Sequence, residues 1–130
     1  MSGLQDAPRT ALAAIRIVNG GAALLAPRWL GRRVGIDPDA NRAAVYVLRL
    51  FGVRTVVIGW ALLDADPVVR ANAVKVAPII HGSDTLSAAL AGFAGQLPRR
   101  AALTATAISS VNTALAVWAW RTQSSQSATG

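Results

Sequence analysis

Residues 44–63 read AVYVLRLFGVRTVVIGWALL, an almost wholly apolar stretch that contains Arg49 and Arg54. Its length matches the roughly 20 residues a helix needs to cross the hydrocarbon of a bilayer. A permanent charge at mid-membrane costs roughly 2.5–3.5 kcal/mol on insertion scales, so it is expected to face protein or a water-filled space. The stretch therefore reads as a membrane-spanning helix whose arginines turn inward.

The rest of the chain agrees with lipid as the solvent. Hydrophobic residues make up 53 % of the 130 residues and charged residues only 15 %, against about 25 % in ordinary soluble domains. There are too few charges to give several helices a water-facing side. Three further apolar runs occur at about residues 11–27, 74–95 and 101–120. No run alternates apolar and polar residues, which excludes strands. The expected fold is all-α, a four-transmembrane-helix bundle over residues 11–121. Residues 1–10 are expected to form a polar N-terminal segment and residues 122–130 a disordered tail. The opening MSGLQDAPRT lacks the charged start and cleavage site of a signal peptide, so the first run is expected to be retained. Pro78 is expected to kink the third helix or set its first turn. Asp37, before Pro38, is expected to cap a short helix entering the second span.

Net charge is +7, with no glutamate and no cysteine. Disulfides, zinc–thiolate sites and cysteine nucleophiles are thereby excluded. A single histidine excludes a multi-histidine metal cage, and neither metal nor cofactor is expected. The cations lie between apolar runs rather than on one polar helix face or in a tail. That distribution fits membrane flanks and argues against nucleic acid. The first and third loops hold Arg28, Arg32, Arg33, Arg42, Arg99 and Arg100. The chain is therefore expected in the cell membrane as a multi-pass protein, with those loops cytoplasmic and the termini outside. Trp29, Tyr46, Trp60, Trp118 and Trp120 lie near run ends, where interfacial anchors belong.

The polar residues inside the runs mark the candidate site. They include Arg16 and Asn19 in the first run, Arg49 and Arg54 in the second, His81 and Asp84 in the third, and Asn112 in the fourth. His81, Asp84 and Thr85 share one helix face. Asp84 is the only acid in any run, so it is the natural partner for an arginine. Arg49 and Arg54 stand about 140° apart around a helix and cannot point the same way. Arg49 shares a face with Gly52, Val56 and Gly59, a groove that admits a neighbouring helix, and it is expected to be the more central of the two. Arg54 is then a cavity residue or one that reaches for the interface. Two small-residue stripes, Ser83, Ser87, Ala91 and Gly95 in the third run and Ala102, Thr106, Ser109, Thr113 and Ala116 in the fourth, predict that these helices pack as a hairpin. Three arginines against one aspartate leave positive charge for an anion, a lipid phosphate, carbonyl oxygens or water to meet.

The pattern RLFGVR followed by Gly59, then HGSDTLSAALAG and a last helix containing Asn112, resembles uncharacterised small four-helix integral membrane proteins of actinobacteria, loosely DoxX-like in size. The resemblance spans residues 11–120. It implies the architecture and carries no activity with it.

Three functions fit this reading. The first is binding or translocating a small anionic or amphiphilic molecule through Arg16, Arg49, Arg54, Asn19 and Asn112, with His81 and Asp84 orienting it or exchanging a proton. The second is a cofactor-independent membrane-embedded enzyme, an isomerase, cyclase or epoxide-opening enzyme, with Asp84 and His81 as the acid–base pair. The third is an accessory subunit of a larger membrane complex. The expected partners are the lipid bilayer, a small anionic or lipophilic ligand, and a second copy or another membrane protein.

Overall fold

The computed structural model describes residues 2–130. Among these, all regular structure is helical: α1 (Ser2–Leu25), α2 (Pro27–Arg33), α3 (Arg42–Ala61), α4 (Pro67–Phe93) and α5 (Arg99–Ala128). The all-α expectation holds, with five helices in place of four. Helices α3 and α5 are long and apolar enough to cross a membrane, and α1 with α2, bent by 109° between them, has the length and composition of a broken span or a re-entrant loop. Helix α4 has the length at 27 residues, but Lys75, His81, Ser83 and Asp84 dilute its apolar content.

Local chemistry sets the boundaries. Pro27 opens α2, since it has no N–H to contribute to α1 and fits a first helical turn. Asp66 caps α4, its carboxylate accepting from the Val68 N–H at 2.8 Å. Helix α3 is capped by Asn41, which accepts from the Ala44 N–H at 3.3 Å. Asp37, expected in that role, instead accepts from the Asp39 N–H within the loop. Helix α4 runs on through Pro78. Residues 2–10 of the segment read above as a polar lead belong to α1, with Met1 outside the described residues, and α5 continues to Ala128 through residues read as a disordered tail. The two ends meet, with Gln126 Nε2 donating to Gln5 Oε1 at 2.8 Å.

The helices pack as two intimate antiparallel pairs, α1 with α3 and α4 with α5, joined by α1 against α5. Helices α3 and α4 barely touch. The α1–α3 pair is close because glycines let it be. A Cβ on Gly52 would lie 2.6 Å from the Leu24 backbone nitrogen, and one on Gly20 would lie 2.9 Å from the Gly52 carbonyl oxygen. The groove of Gly52, Val56 and Gly59 is thus filled by α1. The α4–α5 hairpin also forms as expected, but through a different face of α4. Ser83, Ser87 and Gly95 are exposed, while Thr85 meets Thr113 at 3.1 Å and Gly92 abuts Ala102.

The apolar core gathers Leu12 and Ala13 of α1, Leu62 at the end of α3, Val74 and Ala77 of α4, and Ala116 and Ala119 of α5. It lies in the half of the bundle that holds both termini. The opposite end carries α2, the α2–α3 loop and the start of α5, and with them the six loop arginines. There the chain turns at Gly35, whose φ of +85° favours a residue without Cβ, and the loop rests on the Arg100 side chain.

Candidate functional site

Among the described residues four polar side chains are buried, and each comes from a different long helix: Arg16 from α1, Thr55 from α3, His81 from α4 and Asn112 from α5. They lie on adjacent levels. Arg16 stands three to four residues beyond Leu12 and Ala13, His81 four beyond Ala77, and Asn112 four before Ala116. At 3.6 residues per turn, these three are one turn from the apolar core on the same helix face, and Thr55 is two turns before Leu62. A layer of polar groups therefore lies directly on the core. Counted along the helices from the arginine-rich end, the four lie about 14 to 20 Å in at 1.5 Å per residue.

Within the layer, several atoms that normally hydrogen-bond make no hydrogen bond to the protein. They are Nε and one Nη of Arg16, Oγ1 of Thr55, both ring nitrogens of His81 and Oδ1 of Asn112. Buried polar groups are almost always satisfied, by protein or by ordered water. Six such atoms come from four helices, and ordered water or another polar group would satisfy them. Donors outnumber acceptors among them, so the best occupant is rich in acceptor oxygens.

At the edge of this layer stands Asp84, one turn from His81 on α4. Arg54 of α3 donates to both of its carboxylate oxygens, at 3.2 and 3.4 Å. Arg16 approaches the same carboxylate at 3.6 Å, an ionic contact longer than a hydrogen bond. His81 Nδ1 lies 4.0 Å from it. Burial grades outward, from His81 at 0 % and Arg16 at 2 % exposure to the side chains of Asp84 at 22 % and Arg54 at 44 %. Asp84 and Arg54 therefore form the mouth of the site, in the seam between α3 and α4.

The sequence-predicted residues divide accordingly. Arg16, Arg54, His81 and Asp84 come together, and Asn112 is buried in the same layer. Arg49 corrects the expectation: it is exposed and has no acidic partner among the described residues. Its face carries the glycine groove, but α1 occupies that groove, so the face cannot also present a side chain to α4. Arg49 lies only about 10 Å along α3 from Arg42. Its Cα–Cβ bond leans towards that end of the helix, which lets it reach for the interface. Asn19 is half-buried and makes no side-chain hydrogen bond among the described residues. Thr55 was missed. The available signal was its place on the Gly52–Gly59 stripe, which any partner helix must bury.

An open cavity of about 830 Å³ lies elsewhere, as a groove between α4 and α5 lined by Leu86, Ala89, Ala114, Val117 and neighbours. None of the four buried polar residues lines it. No protein-family model matches the chain, and no curated protein or solved structure matches it either.

Proposed function

We propose that the chain is a multi-pass membrane protein, with α1, α3, α4 and α5 as four spans, that binds or passes a small anionic or amphiphilic molecule at the Arg16–Arg54–His81–Asp84 cluster. The arginine-rich end faces the cytoplasm and the termini face outward, as the bias of loop cations favours. The observation that carries this reading is the buried layer in which each long helix contributes one polar residue with unpartnered atoms. Arg16 and Arg54 against Asp84 leave one positive charge before His81 is counted. An anion offsets that charge and accepts from the free N–H groups at once.

Reconstitution tests it. Wild-type protein in phosphatidylcholine nanodiscs is expected to bind an anionic probe saturably, and Arg16→Gln is expected to weaken that binding at least tenfold while Leu103→Ala, on the outer face of α5, does not. Equal binding by all three proteins would remove the cluster from the function.

A further inference from the structure

Resting on that reading, we infer that the ligand is a monoanionic amphiphile, a single negative headgroup on an apolar chain, which reaches the site sideways from the bilayer between α3 and α4. Three observations carry this. First, the cluster has room for one negative charge, since two guanidinium groups already share one carboxylate. A dianion would overcompensate unless His81 were also charged.

Second, the site opens where the bundle is weakest. Helices α3 and α4 are consecutive and joined by a short connection, yet they barely touch. Across this seam the Arg54–Asp84 pair is the one side-chain hydrogen-bonded link among the described residues. Behind it stand the unpartnered nitrogens of Arg16 and His81. Third, the surfaces leading to the seam are mostly hydrocarbon. On α3, Leu50, Phe51 and Val57 all lie within about a turn of Arg54 and are exposed, and on α4 Val76, about two turns before Asp84, is exposed, with Ser83 and Ser87 as the polar residues beside it. A water-soluble anion would have to cross this apolar belt to reach the seam, whereas an amphiphile can keep its chain in it. The headgroup takes the place of Asp84 on Arg54 or bridges Arg54 to Arg16, and no bond is made or broken.

The test is equilibrium binding of radiolabelled acetate, octanoate, oleate and oleyl alcohol to the full chain in phosphatidylcholine nanodiscs. Oleate is expected to bind saturably, octanoate about tenfold more weakly, since less chain leaves water, and acetate and oleyl alcohol not at all. Arg54→Gln, at a partly exposed position that tolerates change, is expected to weaken oleate about tenfold. Acetate binding as tightly as oleate would overturn the amphiphile and leave the anion site standing. Oleyl alcohol matching oleate would overturn the charge requirement. If no anion of any length binds, the site reading falls with the inference. If native mass spectrometry finds a dimer that takes no oleate and separates in Arg54→Gln, a second copy covers the seam and the inference is overturned.

Discussion

Arg54 grips the Asp84 carboxylate by both oxygens, at 3.2 and 3.4 Å, across two helices that otherwise scarcely meet. The grip is asymmetric in consequence. Arg54 is nearly half exposed, whereas Arg16, the other cation on the same carboxylate, is buried. Removing Arg54 leaves Asp84 with Arg16 and is expected to cost under about 1 kcal/mol, the scale of an exposed pair. Removing the carboxylate by Asp84→Asn strands a buried guanidinium and is expected to cost about 3–5 kcal/mol. The double variant Arg16→Gln with Asp84→Asn should recover most of that loss. Denaturant or thermal unfolding in detergent checks the order, and equal losses for all three would contradict the burial gradient.

The α1–α3 crossing makes a second, independent prediction. At Gly52 an added methyl meets backbone atoms at 2.6 and 2.8 Å, which cannot rotate away. Gly52→Ala is expected to force the helices apart and cost about 1–3 kcal/mol. Gly82 sits in α4 with nothing within 4 Å of an added Cβ. Gly82→Ala is expected to be neutral or to stabilise by up to about 1 kcal/mol through helix propensity. Unfolding midpoints of the two variants, measured side by side, test the claim.

The proposed orientation rests on an uneven distribution of free cations, although Lys75 and Arg121 at the terminal end also lack an acidic partner among the described residues. At the terminal end, Arg9 pairs with Asp6 and donates to the Leu62 carbonyl, and Arg70 donates to the Asp64 carbonyl. At the other end, Arg33, Arg42, Arg99 and Arg100 have no acidic partner among the described residues, though Arg33 stacks on Trp29 at 5.3 Å. The chain has no cysteine, so single introduced thiols report topology cleanly. In intact cells, Ser127→Cys is expected to react with an impermeant maleimide. Ala40→Cys should react only after permeabilisation. The reverse pattern would invert the protein in the membrane.

The α2–α3 loop has a pH dependence of known sign. Hydrogen bonds from Arg28 and Arg32 hold the Asp39 carboxyl below the usual carboxylate range. A depressed folded-state value means that the stabilisation is complete above the unfolded value, near pH 4. It is lost as pH falls through the lower folded value. Asp39 is exposed, so the effect is local. Fluorescence of a variant retaining Trp29 as its sole tryptophan is expected to be constant from pH 7 to pH 5 and to change only below about pH 4. Asp39→Asn should remove that transition.

Several of these features were legible in the order of residues. Periodicity and composition identify apolar helices, because a helix in lipid satisfies its own backbone and needs only an oily surface. The stripe of Gly52, Val56 and Gly59 announces a close crossing, since only small side chains allow one. His81 and Asp84, three apart, must share a face wherever the helix lies. The choice between Arg49 and Arg54 was different in kind. It depended on which helix took the glycine groove, and short connections left α1 and α4 as rivals for it. Tertiary packing gave the groove to α1, which turned the Arg49 face away from α4 and left Arg54 at the seam. The register that sets Arg16, Thr55, His81 and Asn112 on adjacent levels next to the core was also decided there. Helical periodicity fixes the angle of a side chain around its own axis, but the level at which it meets another helix depends on how far the two slide before their cores lock.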